Sequence, residues 1–106
     1  MWAMILLCTG MRMGELVALQ RKDIDFERNE INIWRSAEFI NNQARLKSMP
    51  KTTNSIRIVP ILDMLLEPLQ IFCRNMKPTD FVFGSDKPLS ETAVKKMEEI
   101  LSRGWN

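Results

Sequence analysis

The stretch that decides the fold is TGMRMGELVALQRKDID, residues 9–25. Gly10 is typical of a turn, and the apolar residues that follow it at helical spacing indicate a short helix over residues 12–20. Arg12 and Glu15 are three residues apart, so a helix projects both side chains from one face near its first turn. An arginine fork beside free backbone N–H groups suits the bidentate capture of a phosphate. The stretch therefore predicts an anion site at the beginning of a helix.

Three strands are predicted after this helix. Polar and apolar residues alternate over residues 30–34 and 55–60, and residues 44–49 can return between them as a second strand, with turns rich in asparagine and threonine between the segments. Strands that follow one another across short turns pair with their neighbours in an antiparallel meander. The fold class predicted for this chain of 106 residues is therefore α+β, mostly helical, with a three-stranded antiparallel β-meander in one small domain.

Three further helices are predicted around the strands. Residues 2–8 are apolar on every side, which is typical of a buried helix. A second helix is expected over residues 63–76, with Pro68 in its first turn or at a kink. The last helix begins after Ser90, a natural N-cap, and ends at Gly104, a natural C-cap.

Residues 9–25 resemble the first-arginine box of the tyrosine recombinase/phage integrase family, whose pattern runs T-G-x-R-x-x-E-L-x-x-L-x-x-x-D-[IV]-D. Every defined position of that pattern is met. The stretch KSMPKTTNSIRIVPI, residues 47–61, is similar to the P-K-T-x-x-S-x-R-x-[IV]-P hairpin of the same family. The resemblance covers essentially the whole chain, and the predicted order of helices and strands is that of the first part of the family's catalytic domain.

The resemblance implies a reaction and a role for each motif residue. The family cleaves and rejoins DNA through a 3′-phosphotyrosyl bond, and the phosphorane transition state carries extra negative charge. Arg12 corresponds to the first catalytic arginine, Glu15 to the acid that positions it, and Lys51 to the hairpin lysine that acts as general acid. Lys47 is an alternative to Lys51, and each of these side chains could instead be an ordinary solvated one. The family's site requires no metal and no nucleotide cofactor.

The chain contains no histidine and no tyrosine. The nucleophile of the family is a tyrosine, and its second arginine lies in a His-x-x-Arg motif near the C-terminus. Residues 1–106 are therefore expected to be a partial catalytic domain that lacks this part, from the integrase of a phage or another mobile element. We expect the segment alone to be inactive in DNA cleavage. The alternative is a non-catalytic remnant or module that binds DNA weakly or packs against other proteins.

Basic residues concentrate around the predicted hairpin. Residues 35–57 contain five basic residues against one acid, Glu38, although the net charge of the chain is only +2. Such a cluster predicts contacts with the phosphate backbone of double-stranded DNA. Arg57 stands between Ile56 and Ile58, so a structural or DNA-backbone role is expected for it. The candidates for backbone contacts are Arg21, Lys22, Arg35, Arg45, Lys47 and Arg57.

Composition limits the compartment and the partners. Cys8 and Cys73 lie in apolar runs without metal-ligand spacing, which predicts small buried hydrophobes, a reducing cytoplasmic location and no metal site. No apolar run is long enough to cross a membrane, so no membrane partner is expected. The expected partners are double-stranded DNA and, in the full-length enzyme, other integrase protomers. Self-association is also expected through apolar side chains of the first and last helices, namely Trp2, Ile5, Leu6, Ile100 and Leu101.

Overall fold

The computed structural model describes residues 2–48 and 56–104. These residues form four α-helices, five short β-strands and one turn of 3-10 helix, which confirms the α+β class. The elements in chain order are α1 (Trp2–Thr9), α2 (Met13–Ala18), the 3-10 turn (Arg21–Asp23), β1 (Ile24–Asp25), β2 (Glu30–Ile33), β3 (Arg35–Ile40), β4 (Gln43–Ser48), β5 (Arg57–Pro60), α3 (Asp63–Phe72) and α4 (Glu91–Gly104).

The strands form a three-stranded antiparallel sheet and a separate hairpin. In the sheet β2 lies between β1 and β5, and Ile33 of β2 is opposite Arg57 of β5. Within residues 2–48 and 56–104, β3 and β4 pair only with each other. The first and third predicted strands are thus direct neighbours, whereas a simple meander would place the second strand between them. The reason is a break at Trp34, after which the chain leaves the sheet and continues as β3.

The tip of the hairpin is a two-residue turn. Asn41 and Asn42 both have positive φ, 54° and 64°, which asparagine tolerates better than most residues. The side-chain oxygen of Asn42 accepts hydrogen bonds from the N–H and the hydroxyl of Thr92, at 3.0 and 3.1 Å. The hairpin tip therefore lies against the first turn of α4.

The core lies between the three-stranded sheet and one face each of α1, α2 and α3. Its fully buried aliphatic side chains include Ile5, Leu16, Ile31, Leu65 and Leu69. The prediction that α1 is buried on every side is wrong for the described chain, because Met4 is 37% and Leu7 64% exposed. The expected exposure of Ile5 is also wrong, since this side chain faces the core.

A glycine allows α2 to lie directly on β3. A Cβ atom at Gly14 would be 2.7 Å from Ser36 Oγ and 2.9 Å from the carbonyl oxygen of Ala37. Both distances are shorter than normal contacts, so a larger residue would push the helix away. This packing brings the first turn of α2 to the start of the hairpin.

The last two helices begin at the residues that the sequence predicts. α3 begins at Asp63 and ends at Phe72 rather than Met76, with Pro68 in its interior. Ser90 Oγ accepts a hydrogen bond from the N–H of Ala93, at 3.3 Å, which confirms Ser90 as the N-cap of α4.

Candidate functional site

Arg12 lies at the boundary between a tight turn and α2. Gly10 has a φ of +70°, and Thr9 Oγ1 accepts a hydrogen bond from the N–H of Met11, at 3.3 Å. These contacts turn the chain from α1 into α2, with Arg12 as the N-cap residue and its side chain exposed. A guanidinium cannot accept a hydrogen bond from a helical N–H, so the arginine is not at this position to cap the helix. Its exposed charge is available to an anion.

Glu15 is the buried acceptor of the site. Its side chain is 2% exposed, and Glu15 Oε1 accepts a hydrogen bond from the backbone N–H of Arg12, at 2.9 Å. Arg57 donates from both terminal nitrogens, to Glu15 Oε2 and Glu15 Oε1, each at 3.0 Å. The carboxylate therefore holds the backbone of Arg12 and the guanidinium of Arg57 at one point.

The same contacts determine the charge state of Glu15. Desolvation by burial raises its pKa, but the hydrogen bonds from Arg57 and from the Arg12 N–H, together with the positive charges of both arginines, lower it further than burial raises it. The net pKa of Glu15 lies below its ordinary value of 4.5. The hydrogen bond with Glu15 raises the pKa of Arg57, so the pair is ionised at neutral pH.

A second ion pair, between Arg35 and Asp23, was not predicted. Arg35 donates to Asp23 through Nη2 and to Gln20 Oε1 through Nη1, the latter at 2.6 Å. Trp34 Nε1 donates to Asp23 Oδ1 at 3.0 Å, and the Arg35 guanidinium lies 4.0 Å from the centre of a Trp34 ring. Asp23 matches a defined position of the first-arginine box, which is the signal that could have indicated its importance.

Arg35, a predicted DNA-backbone candidate, offers little surface for such a contact in this structure. It is only 8% exposed, and its charge is already compensated by Asp23. A phosphate would have to displace a buried carboxylate to reach it. In this conformation Arg35 holds the 3-10 turn to the start of β3.

The other DNA-backbone candidates remain at the surface to different degrees. Arg21 is half-buried, donates to the carbonyl oxygen of Ile24 at 3.0 Å and lies 4.7 Å from the centre of the Phe26 ring. Arg57 retains 32% exposure of its side chain beside Glu15. The exposed candidates are Lys22, Arg45 and Lys47.

Lys51 lies outside the described residues, but both of its flanks are described. On one side Ser48, the last residue of β4, is opposite Arg35 of β3. On the other side Arg57, the first residue of β5, is bonded to Glu15 of α2. Both ends of the intervening segment therefore lie next to elements that pack against α2.

Residues 2–48 and 56–104 contain no group of three His, Cys, Asp or Glu side chains that could hold a metal ion. No helix within these ranges is long and apolar enough to cross a membrane. Cys73 is buried as predicted, and burial raises the pKa of its thiol. Cys8 is half-buried, and both thiols are free.

Comparison with known sequences identifies relatives of the chain. The sequence model of the Phage integrase family matches residues 1–104. A tyrosine recombinase XerC-like protein of Caldanaerobacter subterraneus subsp. tengcongensis is 37% identical over 70 residues, which are 58% of this chain and 18% of that protein. The ICEBs1 integrase of Bacillus subtilis is 45% identical over 62 residues, which are 58% of this chain and 17% of that protein.

Solved structures share the fold. The Tn1549 transposon integrase, in complex with circular intermediate DNA, matches 96% of this chain and 36% of its own length, with a TM-score of 0.74 and 26% identity. The XerA recombinase matches 92% of this chain and 30% of its own length, with a TM-score of 0.59 and 20% identity. The chain thus spans less than a fifth of the curated relatives that it matches and about a third of these solved chains.

Proposed function

Because the chain belongs to the phage integrase family, we propose that it forms the first part of the catalytic domain of a tyrosine-type DNA recombinase. The family match over residues 1–104 and the fold shared with a DNA-bound integrase support this proposal. The whole enzyme would cleave and rejoin double-stranded DNA in the cytoplasm through a phosphotyrosyl intermediate, together with other protomers. This chain would supply cationic groups but not the nucleophile, since it has no tyrosine.

Arg12 is the proposed clamp on the scissile phosphate. The non-bridging oxygens gain negative charge in the phosphorane transition state, so a fixed guanidinium binds that state more tightly than the ground state. The bond from the Arg12 N–H to Glu15 fixes the backbone that carries this guanidinium. The clamp is then oriented before DNA arrives, which reduces the reorganisation needed during the reaction.

Lys51 is the proposed general acid, with Lys47 as the alternative. Lys51 is three residues from Ser48, so its Cα lies at most about 11 Å from that of Ser48. Ser48 is opposite Arg35, which is adjacent to Ser36, the residue that contacts Gly14 of α2. This short tether supports a lysine that reaches the same phosphate as Arg12 and protonates the departing 5′ oxygen.

The observation that carries the proposal is the position of Glu15. The carboxylate of Glu15 joins the N–H of Arg12, in the first motif, to the guanidinium of Arg57, in the second motif; Glu15 and Arg57 are 42 residues apart in the chain. The two motifs are separated in sequence and meet at one group in the fold. Such a meeting is expected when both motifs serve one phosphate.

The absence of tyrosine and histidine favours a second candidate, a non-catalytic module that binds DNA or packs against other proteins. Exposed apolar side chains such as Leu7 and Ile100, 64% and 59% exposed, support self-association as a property of such a module. Trp2, Leu6 and Leu101 are half-buried and would contribute less exposed area.

One experiment with two readouts tests the proposal. The purified chain is mixed with a fluorescent suicide duplex, and anisotropy is followed while salt is raised. We expect weak binding without sequence preference. The logarithm of the binding constant should fall linearly with the logarithm of the salt concentration, with a slope of about −0.9 per phosphate contact. Arg12→Gln should weaken binding several-fold and make the slope shallower by the contribution of about one phosphate contact. Arg28→Gln, which removes a charge from a side chain that is 78% exposed, is the matched control.

The second readout is a denaturing gel of the same mixture. We expect no covalent protein–DNA band, because the chain lacks a tyrosine nucleophile. A band that survives denaturation would overturn the assigned roles. Equal effects of the Arg12 and Arg28 substitutions on binding would favour the non-catalytic module.

A further inference from the structure

One donor of the buried ion pair is left over. The guanidinium of Arg35 donates through Nη2 to Asp23 and through Nη1 to Gln20. Its Nε is buried and, within residues 2–48 and 56–104, has no hydrogen-bond partner. Arg35 is more than nine-tenths buried, so bulk water does not supply that partner. Because an unsatisfied buried donor on a charged group is costly, an acceptor is expected near this nitrogen.

A small cavity lies beside the ion pair. Arg35, Asp23 and Glu15 are among the residues that line it. The cavity leaves about 10 Å³ for the centre of a water molecule, which is close to the least volume that one ordered water needs. Empty cavities in proteins are apolar, whereas a cavity with several hydrogen-bonding groups in its wall holds water. This cavity therefore suits a single water molecule and no larger ligand.

The two carboxylates in the cavity wall can each accept another hydrogen bond. Of the bonds between described residues, Glu15 Oε2 accepts one, from Arg57. Asp23 Oδ1 likewise accepts one, from Trp34. A carboxylate oxygen has two lone pairs, so each of these oxygens keeps one for a further donor. The wall thus offers one unused N–H donor and two unused acceptor positions.

We propose that this cavity is the binding site of one structural water molecule, which accepts the Nε–H of Arg35 and donates to the carboxylates of Glu15 and Asp23. Three hydrogen bonds are the usual number for a buried water in a protein. The water joins the Glu15–Arg57 pair to the Asp23–Arg35 pair in a single polar network. The site is independent of the proposed function, because it requires only the folded chain.

Hydration measurements by NMR test this site on the full chain, labelled with ¹⁵N and ¹³C. The Nε–H signal of Arg35 is assigned through the carbons of its own side chain. We expect a cross-peak between this proton and water that has opposite signs in the NOE and ROE experiments, since a long-lived bound water gives opposite signs and proton exchange gives equal ones.

Three results of this measurement would overturn the proposal. The first is a sharp Nε–H signal of Arg35 without a cross-peak to water. The second is a signal lost through rapid exchange with bulk water, which would show that the nitrogen is open to solvent. The third is a through-bond coupling from Nε to a protein acceptor, which would show that the protein itself satisfies the donor.

A cavity-filling substitution locates the bound water. Ala18 is buried and lines the cavity, so Ala18→Val removes space for the water. We expect this variant to lose the cross-peak. The matched control is Ala3→Val, which adds the same two methyl groups to a half-buried alanine of α1 that is not part of the cavity wall, and it should keep the cross-peak.

The backbone amide spectrum shows whether each variant is folded. A folded Ala18→Val variant that keeps the cross-peak would place the water elsewhere and overturn the site. Loss of the cross-peak in Ala18→Val alone, with the Nε–H signal of Arg35 still visible, supports it. If Ala18→Val does not fold, the presence or absence of the cross-peak in the unaltered chain decides the question.

Discussion

Two arginine–carboxylate pairs begin in the same stretch, residues 9–25, and differ in their exposure to water. Both side chains of the Asp23–Arg35 pair are buried, at 7% and 8% exposure. In the Glu15–Arg57 pair the carboxylate is 2% exposed and the arginine 32%. The first pair is enclosed by protein groups, whereas the arginine side chain of the second remains partly exposed.

The difference separates two uses of the same chemistry. A fully buried pair must satisfy its hydrogen bonds within the protein, because desolvation of both charges is costly. The Asp23–Arg35 pair does so in large part with Gln20 and Trp34 and thereby joins the 3-10 turn to the hairpin. Among the described residues, the buried Nε of Arg35 has no hydrogen-bond partner. A partly open pair costs less to form and leaves its surroundings accessible to a ligand. Burial of the arginine, rather than the motif alone, indicates which pair is structural.

The largest effect is expected for the buried pair. Asp23→Asn should lower the free energy of unfolding by about 3–5 kcal/mol, because it leaves the buried charge of Arg35 uncompensated. Urea unfolding followed by tryptophan fluorescence measures this change, since Trp34 contacts both partners. A loss below about 1 kcal/mol would show that Arg35 finds another partner or reaches water, and the distinction between the pairs would fail.

An intermediate effect, with a specific pH dependence, is expected for the half-open pair. Glu15→Gln should cost about 1–3 kcal/mol at neutral pH, since it removes a charged hydrogen-bond acceptor. The pKa of Glu15 in the folded chain lies below 4.5, so its stabilisation is present above that pH and is lost as the pH falls through the folded-state pKa. The free energy of unfolding, measured by urea titration at a series of pH values, should therefore fall less steeply with falling pH for Glu15→Gln than for the unaltered chain. Parallel profiles would contradict the assigned contacts.

The smallest effect is expected for a pair on the surface of α4. Glu99 and Arg103 are 2.8 Å apart, with side chains 56% and 79% exposed. Glu99→Gln should change the free energy of unfolding by less than about 0.5 kcal/mol, because water screens the pair and the free side chains regain entropy. The same urea titration gives a value for Glu99→Gln that can be compared with the values for Asp23→Asn and Glu15→Gln. A larger loss of stability would show that the contributions of the three pairs to the free energy of unfolding do not follow their burial.

Local features of the site were predictable, and its tertiary contacts were not. The turn at Gly10, the short helix with Arg12 at its start and the cap at Ser90 depend on neighbours within a few residues. The partner of Glu15 is 42 residues away, and no local pattern indicates it. The burial of Arg35 was missed for the same reason, because it follows from the packing of the hairpin on the 3-10 turn.

The strands show the same limit. Alternation predicted β2 and β5, in which more buried residues alternate with less buried ones. β4 was predicted as a return strand between two turns, and five of its six residues are exposed. β3 was missed, because RSAEFI, residues 35–40, does not alternate regularly. The pairing of β2 with β5 depends on the break at Trp34, and a periodicity of two carries no information about a break.

The two asparagines at the hairpin tip have a consequence at the opposite end of the hairpin. Their positive φ angles define the turn, and the turn defines the register in which Ile40 faces Gln43 and Arg35 faces Ser48. A slip of one residue would turn every side chain of β4 to the other face. The register in which Ser48 ends β4 opposite Arg35 is thus specified by two φ angles at the far end of the ladder.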